Sequence, residues 1–309
     1  MEPATAFLLA AGLGTRLRPL TDLLPKALVP VCGVPMLDHA LAQVRAHGHE
    51  QVLVNAHHLW PQVAAWAEAR GVGLQVELPE ILGTGGGLRA ALPRLADTVV
   101  VVNADILSDV DLAALRAAVP PGGAALALRP SSRAEQIGPV EPDAEGRVLR
   151  ISSVVGQPGS GRSGFHFTGV HAMSREAITR VPEAGLQCVV RTAYRELVGL
   201  GRVQSVVHTG TWIDVGDPAA YLEANLGVLA GKVRAPVDPW TRGRRLATDS
   251  WGGEGCRVEG IVYRSVIGAG AVVPAGAELS HCVVWDGVKV PPGPHERTIF
   301  AAEGLSLRG

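Results

Sequence analysis

The 309-residue sequence has no excess of charge of either sign, with 28 Lys and Arg against 29 Asp and Glu. A general nucleic-acid-binding protein needs a basic excess that displaces counterions from the phosphate backbone, so nucleic acid is not an expected partner. Long apolar runs are missing too. Residues 98–102 and 124–128 are examples of the longest ones, far short of the ~20 residues that a membrane helix needs. No membrane partner is expected.

Cysteine is scarce, with only four residues, at positions 32, 188, 256 and 282. They form no CxxC pair, and no histidine cluster has zinc-site spacing, so neither a structural zinc nor a redox dithiol is indicated. Scattered thiols suit a reducing compartment. No basic segment precedes the apolar residues 6–11, so the sequence predicts a cytoplasmic protein without an export signal.

Lysine is almost absent, because only Lys26, Lys232 and Lys289 are lysines among the 28 basic residues. All the other basic residues in that count are arginines. A lysine kept inside a loop rich in glycine and proline, such as Lys26, suggests a need for a compact ammonium group. Chance retention explains the composition equally well.

Segments of strand length alternate with helical patterns through the first two thirds of the chain, as in βαβ units. Residues 5–9 predict a strand, residues 36–46 a one-faced helix, and the valine-rich residues 98–102 a strand buried on both faces. We therefore expect an α/β fold with a doubly wound, mixed but mostly parallel sheet in residues 1–230. Residues 231–255 predict a linker, whose basic cluster of Arg242, Arg244 and Arg245 is expected to be a solvated face.

A different period begins in residues 256–309, where apolar residues recur about every six positions. They are Ile261, Val266, Val272, Leu279, Val283 and Val288. This pattern predicts a short left-handed β-helix of about two coils. So small a β-helix cannot bury its faces alone, so we expect it to pack on the first domain or on another copy of the chain, which makes a homo-oligomer possible.

The loop after the first strand reads Gly12-Leu13-Gly14-Thr15-Arg16-Leu17 and continues to Pro25-Lys26. A dinucleotide-binding turn needs a third glycine where Leu17 stands, and a Walker loop needs Gly-Lys-Ser/Thr. What remains is a loop whose backbone amides can hold phosphate oxygens while Arg16 and Lys26 neutralise them. An ordinary tight turn accounts for the glycines but not for the joint occurrence of Arg16, Thr21 and Lys26.

Two aspartates follow predicted strands, Asp105 after residues 98–102 and Asp214 at the end of residues 211–215. Ligands of open α/β sheets collect at the carboxyl ends of strands. Two carboxylates plus phosphate oxygens suit Mg²⁺. For either aspartate alone a turn or cap role is the simpler interpretation, but together with the phosphate loop they favour a metal site.

Residues 12–31 resemble the signature GxGTRLxPLTxxxPKxLxPV of the sugar-1-phosphate nucleotidylyltransferases. Further matching segments are residues 83–87, 103–105, 167–170 and 212–216. The resemblance spans residues 5–230, and a hexapeptide tail is common in the family. It implies a Mg²⁺-dependent reaction of nucleotide-sugar biosynthesis, of the kind that feeds cell-envelope polysaccharides, in which a sugar 1-phosphate attacks the α-phosphorus of a nucleoside triphosphate.

The resemblance also implies roles for individual residues. Arg16 and Lys26 would be catalytic, and Asp105 and Asp214 would bind the metal. The implied nucleotide-binding residues are Leu9, Ala10, Ala11, Gly12, Gly14, Thr15, Arg16, Lys26, Gly83, Thr84, Gly85 and Asn103. Those implied for the sugar are Gly138, Glu141, Thr168 and Gly169. Many members of the family have a Glu-Lys-Pro segment whose lysine binds the sugar phosphate. This sequence has Val140-Glu141-Pro142 instead, without a lysine, so Arg147, Arg150 or Arg162 is a candidate for that role.

Base and sugar remain open between two substrate pairs. Residues 55–59 and 84–87 look most like N-acetylmuramate-1-phosphate uridylyltransferases, whereas residues 282–287 are similar to mannose-1-phosphate guanylyltransferases. Two other classes stay open: a non-catalytic nucleotide-sugar sensor on the same fold, and a hexapeptide acyltransferase. The presence of Arg16, Lys26, Asp105 and Asp214 disfavours the sensor, and the short tail disfavours the acyltransferase.

Overall fold

The computed structural model describes residues 2–309, which group into two compact units. The first unit holds the residues up to Gly12, Gln43–Ala104 and Val110–Gly210, and the second holds Leu13–Ala42, Asp105–Asp109 and Thr211–Gly309. Each unit has its own apolar core. This grouping places residues 211–230 with the tail, whereas the sequence-based division separated them at residue 230; that division stays a prediction.

Helices and strands alternate as far as residue 230, after which strands and one 3-10 turn follow. The helices are α1 (Leu20–Leu23), α2 (Met36–Ala46), α3 (Trp60–Arg70), α4 (Gly83–Ala91), α5 (Leu112–Ala117), α6 (Ala134–Ile137), α7 (Arg175–Ile178), α8 (Arg195–Gly199) and α9 (Pro218–Leu229). The 3-10 turns are Thr15–Leu17, Lys26–Leu28, Leu92–Arg94 and Pro239–Thr241, and a π-helical turn, Val190–Tyr194, precedes α8. None of the helices within residues 2–309 is long and apolar enough to cross a membrane.

The strands fall into two groups along the chain. As far as residue 214 they are β1 (Ala4–Leu9), β2 (Pro30–Val31), β3 (Val34–Pro35), β4 (Val52–Ala56), β5 (Gly73–Val76), β6 (Leu95–Asn103), β7 (Ile106–Ser108), β8 (Ala124–Pro130), β9 (Pro139–Pro142), β10 (Val148–Ile151), β11 (Phe165–Ser174), β12 (Val203–Val207) and β13 (Trp212–Asp214). Beyond it they are β14 (Gly243–Leu246), β15 (Ser250–Gly253), β16 (Arg257–Val258), β17 (Ile261–Tyr263), β18 (Val266–Ile267), β19 (Val272–Val273), β20 (Ala277–Ser280), β21 (Val283–Val284), β22 (Gly293–Glu296), β23 (Thr298–Ala302) and β24 (Leu305–Arg308).

A nine-stranded mixed sheet forms the first unit, with the strand order β10-β9-β11-β6-β1-β4-β5 and with β8 and β12 extending from β11. The run β6-β1-β4-β5 is parallel, whereas β11 is antiparallel to β6, β8 and β9. The expected α/β fold with a mixed sheet is confirmed. Because β1 has parallel neighbours on both sides that come later in the chain, its carboxyl end is a switch point where ligands collect.

The central strand β6 is apolar along its buried part. Val99, Val100, Val101 and Val102 of β6 have no exposed surface, which confirms the prediction of a strand buried on both faces. α3 packs on β4 and β5, and α5 packs on β6 and β8. Helices therefore cover the sheet beside these apolar strands.

The second unit combines a two-stranded antiparallel ribbon of β7 and β13, helix α9 and a β-helix in residues 250–302. Three sides of the β-helix stack in parallel: β15-β18-β21-β23, β16-β19 and β17-β20-β22. Partners on the first side are Trp251, Val266, Val283 and Ile299, which recur every 15 to 17 residues.

The β-helix has three coils, so the expectation of about two was too low. The first side of the first coil is β15, which lies inside the stretch expected to be a linker. Its sequence Ser-Trp-Gly-Gly has one large apolar residue, so the hexapeptide pattern does not reveal it. The last side, β22, reads Gly-Pro-His-Glu and has no aliphatic residue either. β14 also lies in the expected linker, where it forms a hairpin with β15.

The tail is packed against the rest of the second unit, as the sequence analysis expected. The indole Nε1 of Trp285 donates to the Tyr221 hydroxyl of α9 at 2.9 Å, and that hydroxyl donates to the Pro30 carbonyl at 2.7 Å. Gly33 faces Trp251, where an added Cβ would lie 2.3 Å from the indole ring. α9 and residues 13–42 thus share one apolar core with the β-helix.

Candidate functional site

The glycine-rich loop enters the second unit at Leu13, and its geometry explains its residue pattern. Gly14 has a positive φ of 62°, and the Thr21 hydroxyl donates to the Gly14 carbonyl at 2.9 Å. A Cβ added at Gly14 would lie 2.7 Å from Thr21 Cγ2 and 3.0 Å from Lys26 Cβ. Gly14 therefore packs directly against Thr21 and Lys26, which accounts for the joint occurrence of the three residues in the sequence.

The ribbon of β7 and β13 brings Asp105 and Asp214 together, although they are far apart in the chain. Asp214 pairs with Ile106, the residue after Asp105, and the Val215 amide donates to the Asp105 carbonyl at 3.0 Å. The carboxylates thus leave neighbouring positions of one antiparallel ribbon. This placement agrees with the expected convergence of the two aspartates.

Lys26 lies between the two carboxylates. Its ammonium donates a hydrogen bond to Asp105 Oδ2 and lies 3.7 Å from Asp214 Oδ1, and its side chain is only 11% exposed. Arg16 Nη2 lies 3.6 Å from Asp214 Oδ2, but the Arg16 side chain is 66% exposed. Gly216 makes room for the guanidinium, since a Cβ there would be 2.9 Å from Arg16 Nη2. Two cations and two carboxylates therefore form one cluster, which we call the Lys26 cluster.

The chemistry of the Lys26 cluster fits Mg²⁺. Asp214 Oδ1 is buried and has no hydrogen-bond partner, so one carboxylate oxygen is available to a cation. Within residues 2–309 no group of three or more His, Cys, Asp or Glu side chains could hold a metal ion. A protein cage for zinc is therefore not offered there, but one or two carboxylates are what Mg²⁺ takes when phosphate oxygens complete its shell.

In the first unit, a buried pair of polar residues supports the end of β1, where Leu9, Ala10, Ala11 and Gly12 lie. The Ala10 amide donates to Asn55 Oδ1 at 2.7 Å, and Asn55 Nδ2 donates to Glu77 Oε1 at 2.7 Å. Glu77 Oε2 accepts from the Leu82 amide at 2.8 Å, just before α4. The sequence analysis missed Glu77. The signal was there, since Asn55 and Glu77 stand at the carboxyl ends of the parallel strands β4 and β5.

The glycines at the start of α4 meet neighbours too close for a side chain. Gly83 has a φ of 75°, and the Gly85 amide donates to the Gln187 carbonyl at 2.8 Å. A Cβ at Gly87 would lie 2.7 Å from Glu77 Oε1. Thr84 Oγ1 accepts from the Val189 amide at 3.2 Å. Packing therefore explains much of the glycine run, and nucleotide binding by Gly83, Thr84 and Gly85 stays a prediction.

Asn103 and Gly169 are neighbours in the first unit. Asn103 ends β6, and Gly169 lies in β11 with a φ of 80°, where a Cβ would be 2.6 Å from Asn103 Nδ2. A larger residue at position 169 would therefore clash with the side-chain amide of Asn103. Thr168 is buried; its hydroxyl donates to the Ala127 carbonyl at 2.8 Å and accepts from the Val170 amide at 3.2 Å. The sugar-binding role expected for Thr168 stays a prediction.

Glu141, also expected to contact the sugar, is almost entirely covered. Its carboxylate accepts from Arg150 Nη1 at 2.5 Å and from the amides of Gly159 and Gly161 at 3.2 and 3.0 Å. Burial alone would raise the pKa of Glu141, but the hydrogen bond from Arg150 and those two amides outweigh it and lower the pKa. Gly138, at a φ of 136°, lies close to Ser152.

The three arginines considered for the absent lysine have different surroundings. Arg150 pairs with Glu141 and Glu135, and Arg147 pairs with Asp143 at 2.8 Å. Arg162 lies over the ring of Phe165 at 5.5 Å and, among residues 2–309, has no carboxylate partner. Of the three, Arg162 is therefore the one whose charge remains available to a phosphate.

The sequence-predicted residues thus fall into two sets. Arg16, Lys26, Asp105 and Asp214 meet in the second unit. Gly14 and Thr15 lie in the loop before them. The remaining ones lie at the ends of β1 and β6, at the start of α4, at or just before β9, and on β11, and they belong to the first unit.

A family described as nucleotidyl transferase matches residues 5–231. The mannose-1-phosphate guanylyltransferase of Mycobacterium tuberculosis is 30% identical over 93% of this chain and 81% of its own length. The N-acetylmuramate α-1-phosphate uridylyltransferase of Caulobacter vibrioides is 33% identical over 72% of this chain and 96% of its own. HddC from Yersinia pseudotuberculosis, solved with GMP-PN, has the same fold, with a TM-score of 0.58 at 21% identity over 72% of this chain and 98% of its own. The resemblance seen in the sequence is confirmed: the chain belongs to the nucleotidyl transferase family, among the sugar-1-phosphate nucleotidyltransferases.

Proposed function

We propose that the protein makes a nucleotide sugar in a Mg²⁺-dependent reaction at the Lys26 cluster. An oxygen of the sugar 1-phosphate attacks the α-phosphorus of a nucleoside triphosphate. The bond from that phosphorus to the α,β-bridging oxygen breaks, and pyrophosphate leaves. The observation that carries this proposal is the meeting of Lys26, Arg16, Asp105 and Asp214 in one cluster.

The side chains of the cluster suit this chemistry because the reaction needs charge neutralisation more than proton transfer. The attacking phosphate is already anionic at neutral pH, so no general base is required. Lys26, which is nearly buried, can place a fixed positive charge on the α-phosphate as negative charge develops there. Arg16 is more exposed and can bind the outer phosphates and hold the triphosphate in line for attack.

Asp105 and Asp214 are the residues that would hold Mg²⁺. When bound, Mg²⁺ neutralises phosphate charge and favours departure of pyrophosphate. The two aspartates also orient Lys26, since its ammonium binds Asp105 and faces Asp214. Each carboxylate thus has a partner of opposite charge in the absence of nucleotide.

For the substrates we propose GTP and mannose 1-phosphate. Support comes from the guanylyltransferase of M. tuberculosis, whose match covers 93% of this chain and therefore includes most of the tail as well as the transferase part. The second candidate is UTP with N-acetylmuramate 1-phosphate or a hexose 1-phosphate. Its support is the match to the uridylyltransferase of C. vibrioides, which covers 72% of the chain.

A pyrophosphate-release assay with each nucleoside triphosphate and each sugar 1-phosphate, with Mg²⁺ or with EDTA, tests the proposal. We expect the fastest release with GTP and mannose 1-phosphate, and none with EDTA. Faster release with UTP would select the second pair. A matched control is Lys289→Ala, because Lys289 is exposed on the β-helix and should not matter. Absence of release with every pair would contradict the proposal.

The same assay separates the remaining classes. A non-catalytic sensor would bind nucleotide sugar without turnover in any combination. An acyltransferase would require a reactive histidine on the β-helix. His281 lies on the β-helix, and its Nδ1 is hydrogen-bonded to Ser280 Oγ at 3.0 Å. All four cysteines are free thiols, in keeping with the proposed cytoplasmic location.

A further inference from the structure

The second unit contains a cavity of about 620 Å³ that the proposed reaction does not use. One wall is the carboxyl end of α9 with Leu226 and Gly227, another is the turn at Trp240, and the third is a corner of the β-helix. None of the residues of the Lys26 cluster lines it. The volume is within the range of small-molecule sites, about 300 to 1,000 Å³.

The β-helix wall is a column of stacked residues. Arg264, His281 and Arg297 occupy the same corner of successive coils, and each has a positive φ, of 43°, 55° and 47°. Their amides donate to carbonyls of the preceding coil, at 3.0 Å from Arg264 to Thr248, 3.0 Å from His281 to Tyr263 and 2.9 Å from Arg297 to Ser280. Parallel rungs lie about 4.8 Å apart, so the three side chains present a dense column of nitrogen donors.

The cavity carries more positive than negative charge. Arg297 pairs with Glu223 at 2.6 Å, and Arg245 pairs with Asp249 at 3.3 Å. Among residues 2–309, Lys232 and Arg264 have no carboxylate partner, so two full positive charges in the lining are left uncompensated.

Two of the four cationic side chains that line the cavity, Lys232 and Arg245, were already noted in the sequence. Lys232 is one of only three lysines in the chain. Arg245 belongs to the basic cluster that was expected to be a solvated face, and the structure divides that cluster: Arg242 pairs with Asp38 at 2.9 Å, Arg244 is exposed, and Arg245 lines the cavity. The cavity lining therefore contains one of the chain's three lysines and one arginine of that cluster.

We propose that this cavity binds a small phosphate ester. A phosphate monoester carries two negative charges near neutral pH and so matches the two uncompensated cations. Arginine and lysine are the side chains that bind phosphate best, Arg264 through its planar fork and Lys232 as a point charge. The apolar surface of Leu226 and Trp240 offers contact to the organic part of the ester, which inorganic phosphate lacks.

Isothermal titration calorimetry at fixed ionic strength tests the proposal, with ribose 5-phosphate and inorganic phosphate as probes. The wild-type protein should bind ribose 5-phosphate more tightly than inorganic phosphate. Arg264→Gln and Lys232→Gln should each weaken that binding about tenfold or more, since each removes one charge-assisted contact. Arg244→Gln, a neighbouring exposed arginine outside the cavity, should bind like the wild type.

A fourth variant separates this site from the substrate site. Lys26→Ala should bind ribose 5-phosphate with unchanged affinity, because Lys26 does not line the cavity. Loss of binding in Lys26→Ala would place the ester at the Lys26 cluster and overturn the proposal. Unchanged binding in both Arg264→Gln and Lys232→Gln, absence of binding in the wild type, or equal affinity for inorganic phosphate would overturn it as well.

Discussion

Lys26 and Asp105, 79 residues apart in the chain, form an ion pair in which the ammonium donates to Asp105 Oδ2. Asp105 directly precedes β7, β7 pairs with the strand that ends at Asp214, and Lys26 begins the 3-10 turn Lys26–Leu28, so all three residues belong to the second unit. One ammonium thus faces two carboxylates. If Mg²⁺ binds the two aspartates as proposed, it would compete with Lys26 for them, and the ammonium would then be free to face phosphate.

Asp214→Asn should raise the Mg²⁺ concentration needed for half-maximal rate at least tenfold. The change removes one negative charge from a site that offers only two, and the buried Oδ1 is the oxygen without a hydrogen-bond partner. The measurement is the rate against Mg²⁺ concentration, with the melting temperature as a check of folding.

Asp217→Asn is the matched control for the metal prediction. Asp217 caps α9 by accepting from the Ala220 amide at 2.9 Å. The amide of asparagine can cap a helix about as well, so neither the stability nor the Mg²⁺ requirement should change much. An unchanged Mg²⁺ requirement in Asp214→Asn would remove this aspartate from the metal site.

Asn55→Ala should lower the free energy of unfolding by about 2 to 4 kcal/mol, because the buried Ala10 amide and Glu77 carboxylate each lose a hydrogen bond. Urea unfolding followed by circular dichroism measures it. Gln75→Ala, which removes a half-buried donor to the Gly87 carbonyl, should cost less. Equal losses in the two variants would show that the Asn55–Glu77 pair has no special structural role.

Trp285→Ala should lower the free energy of unfolding by about 3 to 5 kcal/mol, the usual cost of removing a buried tryptophan. Trp285 is 6% exposed and anchors the β-helix to Tyr221. Ile261→Ala, at a residue that is 62% exposed, should change stability by less than about 0.5 kcal/mol. A small effect of Trp285→Ala would mean that the β-helix is only tethered to α9.

His171→Gln should reduce the loss of stability on acidification. Burial lowers the pKa of His171 from 6.5 to about 3, so the folded protein keeps this residue neutral, next to the Tyr194 hydroxyl. The unfolded chain binds a proton below pH ~6.5, so the stabilising contribution is complete above that pH and falls by about 1.4 kcal/mol per pH unit below it. Urea unfolding at pH 7, 6 and 5 measures the slope, and identical slopes in both proteins would refute the assignment.

The parts of the fold that the sequence predicts are those with a regular apolar period. Helix α2 begins and ends where the spacing of its apolar residues indicates, at Met36 and Ala46. The valine-rich strand β6 was also recognisable, because only a strand covered on both faces is so uniformly apolar. β15 and β22 were not, since glycine, proline and polar side chains occupy coil positions that the hexapeptide pattern reserves for aliphatic ones.

The residues of the candidate site also differ in how far the sequence indicated them. Arg16 and Lys26 stand within one continuous motif, and the aspartates follow strand-like segments, so all four were visible in the sequence. Glu77 was overlooked: its place after a predicted strand was a signal, but its partners Asn55 and Leu82 come from separate elements and no local pattern links the three. The hydrogen bond from Arg150 to Glu141 was not visible either. It depends on the pairing of β9 with β10, which sequence periodicity does not specify.

The rate of nucleotidyl transfer in Lys26→Ala, at saturating Mg²⁺ and substrates, tests the central claim most directly. Loss of one well-placed charge-stabilising group lowers kcat about 100-fold or more in comparable sites, and Lys26→Arg should not restore it fully, since a planar guanidinium cannot replace a nearly buried ammonium between two carboxylates. The account predicts this loss in a protein that melts near the wild-type temperature. A folded Lys26→Ala variant with near-normal kcat would contradict it.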